Sequence, residues 1–214
     1  MTVDSELLQK DLERLCRQRF ELGVVAEVTG VPLPRLSQWL KGQAFVLFEE
    51  QAPGTGRRRL FHLVDVYTVR FFAVLTDVEG GLGLPLKTAS RVLDTAWGLT
   101  ETDEAATMAP GSWIDPRSDF DRGHFGHLNP CRPRTRPQWL IGVRVHHVHP
   151  RHSFWRGRFT EQAERPDRSG DRTPADLFFA LEATPHLLDV NAQLFQRLRW
   201  ADALNRLPPA FEIP

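Results

Sequence analysis

Residues 24–31 read Val24-Val25-Ala26-Glu27-Val28-Thr29-Gly30-Val31, and Pro32-Leu33-Pro34-Arg35-Leu36-Ser37-Gln38-Trp39-Leu40-Lys41 follows directly. The first run predicts a short helix closed by Gly30, the residue type that most easily takes the left-handed backbone of a helix end. Residues 34–41 predict a second helix entered through Pro34, whose fixed φ suits a first helical turn. Farther on, Arg57-Arg58-Arg59-Leu60-Phe61 predicts the return strand of a hairpin whose outgoing strand is 44–50 and whose turn is Ala52-Pro53-Gly54-Thr55-Gly56. Two short helices beside a basic hairpin predict a helix-turn-helix with a wing. That arrangement sets one helix in a DNA groove and the hairpin on the flanking phosphates.

Helical spacing turns Leu36, Trp39 and Leu40 toward a core and leaves Arg35, Gln38 and Lys41 outside, three residues apart. The outer face has base-reading chemistry, since an arginine forks onto guanine and a glutamine onto adenine. In the wing, residues 51–61, strand alternation sends Arg57 and Arg59 one way and Arg58 the other. One of the three is therefore as well suited to pairing with Asp65 as to touching phosphate.

Working outward, residues 5–19 predict an amphipathic helix with Leu7, Leu8, Leu12, Leu15 and Cys16 on its stripe. Residues 65–78 predict a second periodic helix, with Val66, Val69, Phe72, Ala73 and Val78 on one face and Gly80-Gly81 as its stop. A third runs from Pro85 to Trp97. Residues 99–136 read as an irregular linker, because Pro110, Pro116, Pro130 and Pro133 forbid a long helix. Beyond it, 138–148 alternates like a half-buried strand, 150–174 is polar and turn-rich, 176–182 is a second strand and 191–206 a terminal helix. The predicted organisation is α+β: an N-terminal helix at 1–19, a winged module at 20–98, the linker, and a small mixed α/β unit at 137–214 that dimerises or binds a partner.

The 214-residue chain is 41% hydrophobic and 25% charged, an ordinary globular composition, with 27 basic and 27 acidic residues. Bulk charge therefore does not by itself hold it on a polyanion. The distribution is uneven: Glu101 to Asp121 carries six acids and one arginine, whereas Arg122 to Thr160 carries eight arginines and no acid. The basic stretch also contains Trp139, Phe154 and Trp155, a mixture that grips phosphate and stacks on bases. Neutralising the acidic run or docking on a partner are its alternative uses.

No apolar run approaches the length that crosses a bilayer, and residues 1–6 lack the character of a signal peptide, so the expected location is cytoplasmic, away from membranes. Cys16 and Cys131 are expected as thiols. Six of the eight histidines and Cys131 fall between 124 and 152, but in no standard finger spacing. No metal site or other cofactor is expected. With no phosphate-binding Gly-Lys loop, dinucleotide fingerprint or nucleophile elbow, no catalytic residues and no enzymatic activity are expected either.

At the wing and the helix after it the chain resembles MerR-type regulators. The match is Gly56-x-x-Arg59-x-Phe61-x-x-x-Asp65-Val66, then an apolar helix and the step Gly81-Leu82-Gly83-Leu84. The similarity covers roughly residues 22–97. It implies a MerR-like winged helix-turn-helix DNA-binding module with Arg35, Ser37, Gln38, Lys41, Arg57, Arg58 and Arg59 as its DNA-binding residues. Ser37 stands where the family's second helix usually has arginine, within Arg35-Leu36-Ser37-Gln38-Trp39 in place of Thr-Leu-Arg-Tyr-Tyr. Gln43-Ala44 replaces a Gly-Leu step. The long dimerisation helix usual in the family has no counterpart, because residues 101–137 are too broken to form one. The expected function is sequence-specific binding of double-stranded DNA as a transcriptional regulator, with a homodimer or another protein engaged through the C-terminal unit. A phage-type excision or packaging accessory, and a protein-interaction module on the same fold, are the alternatives.

Overall fold

The computed structural model describes residues 3–47, 59–97, 140–146, 151–157 and 177–207. The fold is α+β. Its centre is α4 (Leu63–Thr76), which is apolar around most of its circumference and buried from Leu63 through Val69. A helix of that composition needs partners on several sides. α1 (Val3–Cys16), α2 (Leu22–Thr29), α5 (Leu86–Trp97) and α6 (Ala183–Arg197) pack on it or on each other, and α7 (Ala201–Arg206) closes on α1.

α4 begins with a reciprocal cap. The Asp65 carboxylate accepts the His62 backbone N–H at 2.9 Å, while the His62 side chain accepts from the Asp65 backbone. Asp65 thus serves the helix start. At the other end α4 stops at Thr76, two residues before the predicted end, and Val78 is 83% exposed instead of sharing the buried face. The Asp77 carboxylate accepts the backbone N–H groups of Glu79 and Gly80, and Leu82 N–H donates to the Val74 carbonyl at 3.0 Å. Gly81 comes so close to Val74 that a Cβ would lie 1.9 Å from that carbonyl oxygen, so only glycine fits.

β1 (Phe20–Glu21) pairs antiparallel with β2 (Leu60–Phe61) in the register Phe20↔Phe61. Of the expected outgoing strand at 44–50, residues 44–47 are described and form no strand, while 48–50, the turn and return residues 57–58 lie outside the described residues. Phe20 and Phe61 are 4% and 0% exposed, so the observed pair buries two rings, while Phe45 leaves the line of a strand to enter the core.

β3 (Leu140–His146), β4 (Arg151–Gly157) and β5 (Leu177–Glu182) form an antiparallel sheet in the order β4-β3-β5, with Val143 opposite both Phe154 and Phe179. β4 falls in the stretch expected to be turn-rich. Its arginines and histidine mask an extended backbone satisfied by β3. α5 packs against β3 and β4.

The expected single terminal helix is two. α6 starts eight residues early, at Ala183, and Arg199 breaks the run with φ 57° while Trp200 N–H caps the Phe195 carbonyl at 2.8 Å. Residues 137–214 are expected as a small mixed unit. In the structure Leu187, Val190, Leu194, Phe195 and Ala203 share one core with Leu12, Val25, Leu36, Phe61 and Phe72. An Asp11–Arg206 ion pair and the Arg14 guanidinium, 4.1 Å from the Trp200 ring, join α1 to α7 and the residue before it.

Candidate nucleic-acid interface

α2 ends at Gly30, whose φ of 70° turns the chain within a few residues into α3 (Leu33–Lys41). Pro34 occupies the first turn of α3, and Gly42 N–H caps the Gln38 carbonyl at 2.9 Å. The helix is sharply two-sided. Leu36 and Trp39 are buried, Leu40 and Ser37 are half-buried, and Arg35, Gln38 and Lys41 are exposed. Burial of the inner residues fixes which side the outer ones occupy.

Trp39 anchors this side choice. Its ring meets Phe72 of α4 edge-on at 4.9 Å and 85°, and Phe45 at 6.4 Å and 76°, while Phe45 and Phe72 lie 5.0 Å apart. On its outer side, the Arg35 guanidinium carbon lies 4.9 Å from the ring centroid. No acid occurs from Val28 to Phe48, and Glu27 on α2 is 3.4 Å from Arg197 of α6. The face of α3 is therefore cationic without a carboxylate of its own.

Of the arginines expected in a wing, Arg59 is described, and it is exposed at the entrance to β2. Arg57 and Arg58 lie outside the described residues. Because β2 pairs with the strand that runs straight into α2, Arg59 and the start of the two-helix segment belong to one local framework.

A polar junction that sequence reasoning missed ties α6 to this framework. Arg70 Nη1 donates to the Thr29 carbonyl at 3.1 Å, at the C-terminal end of α2, and Arg70 Nη2 stands 3.1 Å from Asp189 on α6. A cation there also suits the negative end of the α2 dipole. The one available signal was a lone arginine inside the apolar run of α4. Beside it, His186 packs edge-on to Phe71 at 6.3 Å, and its pKa is lowered to about 4. Burial is the main cause, the Arg70 charge adds to it, and Asp189 opposes both. Deeper in, Tyr67 donates to Asn191 Oδ1 at 2.5 Å, both residues being buried.

Among the described residues no cluster of side chains is suited to hold a metal ion. His146 is opposite Arg151, and His152 is opposite Val145. The other histidines of the basic stretch, His124, His127, His147 and His149, lie outside the described residues with Cys131, whereas Cys16 is a buried thiol in α1. No described helix is long and apolar enough to cross a membrane.

No protein-family model, curated protein or solved structure matches this chain.

Proposed function

We propose that this protein binds double-stranded DNA sequence-specifically through a winged helix-turn-helix, as a transcriptional regulator. α3 enters the major groove, and the arginines before β2 lie on the backbone. The observation that carries this reading is the exposed face of α3, where Arg35, Gln38 and Lys41 project together from a helix whose other side is locked into the core. Arg35 and Gln38 supply the forked and amide groups that read base edges, and Lys41 supplies a phosphate contact. Ser37, half-buried, supplies a short backbone contact. The similarity of residues 22–97 to MerR-type modules supports the same assignment. A single module of this size covers little DNA, so binding to paired half-sites through self-association accompanies it.

Selection of bound sequences from a random duplex library tests the proposal. Enrichment of a short motif, repeated at about one helical turn, is the expected outcome. Recovery of unenriched DNA would overturn sequence specificity. A second reading, a protein-docking module, is favoured by the exposed apolar residues Leu33, at the start of α3, and Val46, five residues beyond its end. It predicts no DNA retention even at low salt.

A further inference from the structure

We infer that Trp39 holds Arg35 in place as a guanine reader, so that the stacked pair sets base preference at one position of the bound site. This rests on the DNA-binding reading above. Arg35 and Trp39 are four residues apart on α3, hence neighbours one turn apart at the border between its exposed and buried sides. The guanidinium carbon lies 4.9 Å from the ring centroid, within range of attraction to the ring's negative face. The ring has little freedom. It is 5% exposed and wedged edge-on against Phe72 at 4.9 Å and Phe45 at 6.4 Å. Arg35 itself is exposed, so a mobile side chain rests on an immobile platform at the surface.

A guanidinium that lays its face on the ring keeps its in-plane N–H groups free to donate. Two of those match the O6 and N7 acceptors of guanine in the major groove. An arginine that roams in solvent loses rotamer freedom when it docks, and one already held loses less. That saving favours the geometrically demanding two-point contact with a base over a phosphate contact that many conformers reach. Among the described residues, Gln38 and Lys41 on the same face have no comparable ring beneath them. Trp39 is a positioning residue in this scheme, and Arg35 is the group that touches DNA.

The test is library selection with the wild type, Arg35→Lys and Trp39→Phe, alongside salt titration on random duplex and thermal melting. The wild type should prefer guanine at one position per half-site by roughly tenfold or more. Arg35→Lys keeps the charge and loses the rigid fork, so this preference should fall several-fold while the salt slope stays unchanged. Trp39→Phe keeps an aromatic core residue with a weaker, smaller face, and should reduce preference at that same position several-fold while other positions hold. Guanine preference unchanged in Arg35→Lys would overturn the inference even if Trp39→Phe fails to fold. So would a folded Trp39→Phe that selects the wild-type motif. Both results leave DNA binding standing, whereas a wild type that retains no duplex at low salt ends the DNA-binding reading and this inference together.

Discussion

Arg70 of α4 and Asp189 of α6 face each other at 3.1 Å, and the same guanidinium holds the Thr29 carbonyl at the end of α2. One side chain thereby joins the two-helix segment, the central helix and the C-terminal helix. Since Arg70 and Asp189 are 27% and 41% exposed, solvent screening keeps the ion pair itself modest. Arg70→Met should cost about 1–2 kcal/mol in urea unfolding, because a bond to a helix-end carbonyl is lost as well. Asp189→Asn should cost less than 1 kcal/mol. Equal losses in the two variants would show that the Thr29 bond contributes nothing.

Tyr67→Phe should destabilise by about 1–3 kcal/mol, since it deletes the hydroxyl that satisfies Asn191 Oδ1 in a site closed to water. The loss is read as a shift of the urea midpoint at constant slope. A neutral Tyr67→Phe would mean that the Asn191 amide finds another partner.

His186 gives the stability a pH dependence of defined sign. Its pKa is lowered from 6.5 to about 4, so between those values the unfolded chain binds the proton that the folded chain refuses. Its contribution is complete above about pH 6.5 and declines as pH falls toward 4, by an amount on the order of 1–3 kcal/mol. Urea unfolding of the wild type and His186→Gln from pH 7.5 to 4.5 checks this. The difference between their stabilities should shrink as the pH falls, and a constant difference would contradict the assignment.

Gly30→Ala should cost about 1 kcal/mol, because φ there is 70° and the penalty is one of backbone. A Cβ would come no closer than 3.9 Å to Arg70, so crowding adds little. Gln43 stands at φ 49° with a full side chain, and Gln43→Gly should therefore be stabilising. Thermal melts of the two variants should move in opposite directions.

These positions also show what could be read from the chain. Gly30, Pro34 and the Leu36/Trp39 spacing made α2 and α3 legible, because capping and helical period are local properties. Pro85 did the same for α5. The β1–β2 pair was not legible, since two-residue strands have no period and Phe20 meets Phe61 across forty residues of sequence. β4 was hidden by Arg151, His152 and Arg156, whose polarity resembles a loop although the backbone pairs with β3. Nor could any local signal say that Leu187, Val190 and Leu194 pack on the N-terminal helices, because an apolar stripe does not name its partner. The α3 face was legible as a set of outward residues, but the stacking of Arg35 on Trp39 emerged only from the structure.

That shared core has its own consequence. A fragment ending at residue 98 lacks Leu187, Val190, Leu194 and Phe195, all buried among the N-terminal helices. It should show poorly dispersed amide resonances, and a well-dispersed spectrum would mean that the C-terminal helices are dispensable.

Salt titration of random-duplex binding by fluorescence anisotropy asks whether the α3 face holds DNA. DNA held on this face gives a linear fall of log affinity with log salt, and a slope shallower by about one in Lys41→Ala, which removes one phosphate contact. No binding at low ionic strength, or a slope that Lys41→Ala leaves unchanged, would contradict it.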